Sequence, residues 1–105
     1  MPLPISKHTI LLIQGTQSFD SRTFTDFPSV NDALKSLVVM YEDQLKRINP
    51  TVVNIHYTLD DIITWVNSLH DIVPLIFEQN INAYVAKDRG YIVNGLRRLF
   101  LKEAV

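Results

Sequence analysis

The alternation of apolar and polar positions predicts seven elements. Residues 8–14, HTILLIQ, form a short run with β-branched residues that ends at Gly15 and reads as a buried strand. In an extended chain His8, Ile10, Leu12 and Gln14 point one way, and Thr9, Leu11 and Ile13 the other. Both sides of this strand are therefore largely apolar. Residues 15–21, GTQSFDS, are rich in turn formers. RTFTDF at 22–27 alternates, with Arg22, Phe24 and Asp26 set against Thr23, Thr25 and Phe27, and predicts a second strand hairpinned to the first.

Ser29 is a good N-cap and Asp32 sits at its N3 position, close to a capping box. Apolar or aromatic residues follow at 30, 34, 37, 38, 41, 45 and 48, the rhythm of an amphipathic helix. Asn49-Pro50 stops it, because proline disfavours helix at the preceding residue. Residues 51–57 read as extended or irregular. Thr58 starts a second capping pattern with Asp61 at N3, and Leu59, Ile62, Ile63, Val66 and Leu69 mark the stripe of a short helix. VPLIFEQ (73–79) and INAYVAK (81–87) predict a third and a fourth strand around a tight turn at Asn80. A last helix is expected from about Tyr91 to Ala104, with Ile92, Leu96, Leu99, Phe100 and Ala104 as its stripe and Gly90 or Asp88 as its cap. Gly95 within it costs about 1 kcal/mol relative to Ala.

The order β-β-α-α-β-β-α predicts an α+β fold: a four-stranded antiparallel sheet with three amphipathic helices on one face. One helical layer covers one side of the sheet. The first strand then leaves either His8, Ile10 and Leu12 or Thr9, Leu11 and Ile13 uncovered. The third has the same problem, with Val73, Leu75 and Phe77 on one side and Pro74 and Ile76 on the other. Burying one large apolar side chain is worth roughly 1.5–3 kcal/mol, against a domain stability of about 5–15 kcal/mol. Packing a second copy sheet to sheet about a two-fold axis is the simplest remedy. The alternative is that a loop, such as 51–57, folds over the sheet.

Composition narrows the function classes. With 105 residues and 47% hydrophobic content, one domain with a real core is expected. Lys plus Arg is 10 against 11 for Asp plus Glu, a balance that argues against a stand-alone nucleic-acid binder. The absence of Cys rules out disulfides, thiolate metal sites and a Cys nucleophile. No apolar run reaches the roughly 20 residues that span a bilayer, so no membrane role is expected. Residues 1–7 read as a short loose arm and 8–105 as the single domain.

Candidate chemistry is sparse. His8, His56 and His70 form no metal-binding spacing. His70, at a helix end, is expected to meet the C-terminal carbonyls there. Asp60 and Asp61 sit in a first helical turn, where capping explains them. No P-loop, GxGxxG or nucleophile elbow is present. No enzyme activity and no cofactor are expected. Thr23 and Ser29 each precede an acid by three residues, a pattern acidophilic kinases use and also that of a helix cap. Tyr41, Trp65 and Tyr84 are candidate partner anchors by residue type. Phe24, Phe77 and Tyr84 could mimic the exposed aromatics of an RNA-recognition sheet, which keeps a direct RNA-binding module as the alternative function.

HTILLIQ at 8–14, RTFTDFPSVNDAL at 22–34, MYEDQLKRINP at 40–50 and LRRLF at 96–100 resemble the enhancer of rudimentary homolog family. The likeness runs from about His8 to Phe100. It implies a nuclear, non-enzymatic homodimer formed through the uncovered sheet face, with His8, Ile10 and Leu12 on the dimer side; Phe24 and Leu75 are expected in the same interface. It implies that Thr23 and Ser29 match positions proposed as casein kinase II targets. It also implies an adaptor that binds short segments of RNA-processing and transcription proteins, with links to pyrimidine metabolism and the cell cycle.

Overall fold

The computed structural model describes residues 7–103, with side chains through Leu101. The expected arm, apart from Lys7, and Ala104 lie outside the described residues. The elements are β1 (Thr9–Gln14), β2 (Arg22–Phe27), α1 (Val30–Ile48), α2 (Leu59–Ser68), β3 (Asp71–Glu78), β4 (Ala83–Ala86) and α3 (Arg89–Glu103), with a 3-10 turn at Phe19–Ser21. The fold is α+β in the expected order ββααββα. The four strands form one antiparallel sheet in the order β2-β1-β3-β4, so β1 and β3 are central.

The sheet decides which side of β1 faces inward. Thr9, Leu11 and Ile13 are buried, as are Ile72, Pro74 and Ile76 of β3. Against them pack Leu34 and Leu37 of α1, Ile62 and Val66 of α2, and Ile92, Leu96 and Leu99 of α3. Thr9 is tolerated there because its hydroxyl donates to Lys7 C=O at 3.0 Å.

Local chemistry sets the element ends. Ser29 Oγ accepts from Asp32 N–H at 3.1 Å and donates to the Asp32 carboxylate at 2.9 Å. Thr58 and Asp61 form the full reciprocal box: Asp61 N–H donates to Thr58 Oγ1 and Thr58 N–H to Asp61 Oδ2. Asn49 closes α1 by donating from N–H and Nδ2 to Leu45 C=O. Pro74 lies in the interior strand β3. It accepts from Lys87 N–H at 2.9 Å but has no N–H to return, so the ladder to the four-residue β4 stops there.

Several boundaries differ from expectation. β3 begins at Asp71 rather than 73, and β4 covers only 83–86 because Asn82 adopts φ 52° and lengthens the turn. α3 begins at Arg89, two residues early, with the Asp88 carboxylate accepting Tyr91 N–H at 3.0 Å; the cap is Asp88, not Gly90. The group that meets the last carbonyls of α2 is Arg89, which donates to Asn67 C=O at 2.8 Å, and also to His70 C=O just beyond the helix at 3.3 Å, rather than the His70 ring.

Gly95 is also more than a weak helix former. A Cβ there would lie 2.8 Å from Leu34 Cδ1, and Leu34 is buried, so α3 approaches α1 closely at this point. Overpacking typically costs 1–3 kcal/mol, which outweighs the roughly 1 kcal/mol of helix propensity that Ala adds. Gly95→Ala is therefore expected to lower stability by about 1 kcal/mol and Gly95→Val by more, measured by urea unfolding. An unchanged or raised midpoint in Gly95→Ala would show that Leu34 moves aside freely.

Candidate functional site

The uncovered side of the sheet is built row by row from the strand register. Asp26, Ile10, Leu75 and Ala86 form one row across the four strands. Phe24, Leu12 and Val73 form the next, and Arg22, Gln14 and Asp71 close one end. Phe77 and Tyr84 pair at the other end, where Phe77 N–H donates to His8 C=O at 2.9 Å. The centre of this face is apolar. Ile10, Leu12, Val73, Leu75 and Phe77 are half-buried, and Phe24 is 63% exposed.

The ends are polar and tied down. At one, His8 Nδ1 and Tyr84 Oη share a 2.6 Å hydrogen bond, and Tyr84 packs edge-on against Phe77 at 5.2 Å. Asp26 Oδ2 lies 3.9 Å from His8 Nε2, and Lys7 pairs with Glu78 at 3.2 Å. At the other, Arg22 donates from Nε and Nη2 to Gln14 Oε1 at 3.1 and 3.0 Å and stacks over the Phe19 ring at 5.0 Å. Gln14 Nε2 donates to Thr16 C=O at 3.0 Å. These contacts leave Gln14 only 2% exposed, although its parity matches Ile10 and Leu12. The 15–21 loop thus finishes one end of the face and leaves its middle open.

The 51–57 link does not roof the sheet. It lies on the helical layer, where Tyr57 Oη donates to Glu42 Oε1 at 2.6 Å and the Tyr57 ring sits between Tyr41 at 5.2 Å and Phe100 at 6.4 Å. Under it is a cavity of about 430 Å³ lined by Glu42, Lys46, Val52, Val53, Ile55 and Tyr57. Sequence reading missed this cavity, whose walls come from a helix end and an irregular segment with no common period.

The structure thus brings His8, Ile10, Leu12, Phe24, Leu75 and Tyr84 together on one sheet face. Tyr41 and Trp65 fall elsewhere, half-buried among the helices: their rings are 5.4 Å apart and Trp65 Nε1 donates to Gln44 Oε1 at 2.9 Å. Thr23 lies exposed on the edge strand β2, its hydroxyl reaching Ile13 C=O at 3.4 Å, and the Ser29 hydroxyl is engaged in the α1 cap. Among the described residues no group of three or more His, Cys, Asp or Glu could hold a metal ion, and no helix is long and apolar enough to cross a membrane.

These features define a small α+β domain with one helix-covered sheet face and one apolar face bordered by fixed polar groups. The sequence profile of the family described as Enhancer of rudimentary matches residues 5–104. A protein of Arabidopsis thaliana named "Enhancer of rudimentary homolog" is 38% identical over 87 residues, 83% of this chain and 80% of the relative. One of the same name in Dictyostelium discoideum is 38% identical over 96 residues, 88% of this chain and 96% of the relative. "Protein enhancer of rudimentary" of Drosophila virilis is 33% identical over 85 residues, 81% of this chain and 82% of the relative. The chain belongs to the enhancer of rudimentary family.

Burial, and secondarily the Asp61 carboxylate, raise the Tyr41 phenol above its ordinary value of 10.0. The unfolded chain therefore gives up this proton first. The contribution is intact below the unfolded value and is lost as pH rises through the folded one. Stability is expected to fall as pH rises past the ordinary phenol value of 10.0, less steeply in Tyr41→Phe, as read from urea midpoints. An identical slope in both chains would remove Tyr41 from this account.

Proposed function

We propose that this protein is a non-enzymatic homodimeric adaptor of the nucleus. In this reading its dimer forms through the open sheet face, with His8, Ile10, Leu12, Phe24 and Leu75 in the interface. Each subunit binds short segments of RNA-processing and transcription proteins. Membership of the enhancer of rudimentary family supports it. The observation that carries it is the uncovered apolar centre of the sheet, Ile10, Leu12, Val73 and Leu75 flanked by Phe24 and Phe77. Burying several such side chains at roughly 1.5–3 kcal/mol each outweighs much of the cost of association. The polar ends then form the rim.

A symmetric dimer carries two copies of every groove on its helical layers. Two partner segments held at once gain affinity through effective concentration. A direct RNA-binding role would need a basic face, but the open face carries Asp26 and Asp71 alongside Arg22.

Light scattering is expected to give twice the chain mass for the wild type and a folded monomer for Ile10→Arg/Leu12→Arg. The double variant is expected to lose nuclear protein partners in affinity purification. A monomeric wild type ends the dimer reading. Salt-sensitive RNA binding by the isolated protein would favour the RNA module instead.

A further inference from the structure

β2 is an edge strand, and among the described residues no strand pairs with its outer side. The ladder fixes where its backbone groups point. The Phe77 N–H to His8 C=O bond turns the even-numbered residues of β1 toward β3. The Lys87 N–H to Pro74 C=O bond agrees, because it turns the even-numbered residues of β3 toward β4 and the odd ones toward β1. The odd residues of β1, Thr9, Leu11 and Ile13, then face Phe27, Thr25 and Thr23. The N–H and C=O groups of Arg22, Phe24 and Asp26 are left pointing outward. Their side chains lie on the open face, Phe24 at 63% exposure and the Asp26 side chain at 74%.

Edge strands are usually blunted by charged side chains, lysine above all, and by proline, bulges or short length; the two charges of β2, Arg22 and Asp26, are of opposite sign. RTFTDF has six residues, no proline, no lysine and an unbroken register with β1. The opposite edge, β4, has four residues and follows the positive-φ Asn82. The charges of β2 also make it its own complement. In an antiparallel pair of β2 strands with Phe24 opposite Phe24, Arg22 meets Asp26 twice and Thr23 meets Thr25 twice. Opposite charges, aromatic pairs and Thr pairs are the favourable cross-strand combinations. The hydrogen-bonded positions in this register are 22 with 26 and 24 with 24, the residues whose backbone groups face out. A one-residue shift sets outward groups against inward ones, and a two-residue shift loses both Arg–Asp pairs.

We propose that β2 is a homotypic pairing edge. The β2 strand of one chain docks antiparallel on β2 of a second copy about a two-fold axis at Phe24. Two four-stranded sheets thereby join into one of eight strands. Gln14 holds Arg22 through Nε and Nη2, so the guanidinium is already ordered. Among the described residues, the group that approaches Asp26 on its own subunit is His8 Nε2, at 3.9 Å. The contact is distinct from the sheet face and does not depend on it. Chains paired through their faces would keep both edges free, so edge pairing would link such dimers further.

The test uses chains carrying Leu75→Arg, which disables the face two strands away from β2. Sedimentation at rising concentration is expected to show self-association that weakens with salt. Asp26→Arg or Arg22→Asp sets like charges opposite and is expected to weaken it by roughly tenfold or more. Mixing these two single variants restores complementarity and is expected to give a one-to-one pair. Circular dichroism checks that each is folded. Should Arg22→Asp unfold for lack of its Gln14 bonds, Asp26→Pro decides. Proline is tolerated where the N–H faces out, so this variant should keep the β1–β2 ladder, seen by amide exchange, and lose association. No association of the Leu75→Arg chain, equal association of the charge variants, or no recovery on mixing each overturns the proposal. Comparing wild type with Leu75→Arg reads the face contact separately.

Discussion

The structure depends on one inequality: two apolar sheet faces and one layer of helices. β1 sits at its centre, flanked by β2 and β3. Leu11 and Ile13 go under the helices, while Ile10 and Leu12 stay outside with the same chemistry. The helical layer is already fully employed on its own side, where Leu37, Ile62, Val66 and Leu96 have no exposed surface. Among the described residues no element crosses to the other face. The 51–57 segment is pinned to α1 and α3 by the Tyr57 hydroxyl and ring.

The finish of the open face separates a docking surface from a merely unsatisfied one. An unbounded apolar sheet is an aggregation hazard. Here each end of the patch is closed by side chains already bonded to one another, His8 with Tyr84 and Arg22 with Gln14. These groups need little further ordering when a surface arrives against them. Polar ends that keep their partners do not add buried unsatisfied groups. The apolar centre can be desolvated while the margins stay hydrogen-bonded.

Much of the fold was legible because local signals agreed with tertiary structure. Ser29 and Thr58 start helices where their capping patterns place them, and Asn49 stops α1. The open face was legible in parity but not in sign. Both parities of HTILLIQ are apolar, and only the packing shows that Thr9 is the inward one: it is fully buried, with its hydroxyl satisfied by Lys7 C=O. What sequence hid depends on distant partners. Arg89 opens α3 early because its guanidinium is held by the end of α2. Gln14 is buried by a loop that folds back over it. Gly95 reads as a flaw in a helix until Leu34 is seen against it. The cavity beneath 51–57 and the division of Tyr41 and Trp65 from Tyr84 likewise follow from packing alone.

The face and the β2 edge are neighbours, yet they draw on different forces. The face gains from removing apolar area from water, which is non-directional and little affected by salt. The edge gains from backbone hydrogen bonds and from charges near the solvent, which are directional and screened within about 10 Å at moderate ionic strength. Phe24 belongs to both: its ring lies on the face while its N–H and C=O belong to the edge. A chain built this way can respond to two kinds of partner through one strand. A change at the Phe24 ring would be felt at the face, and a change at the Arg22 or Asp26 charge mainly at the edge. Salt is then the variable that separates the two contacts.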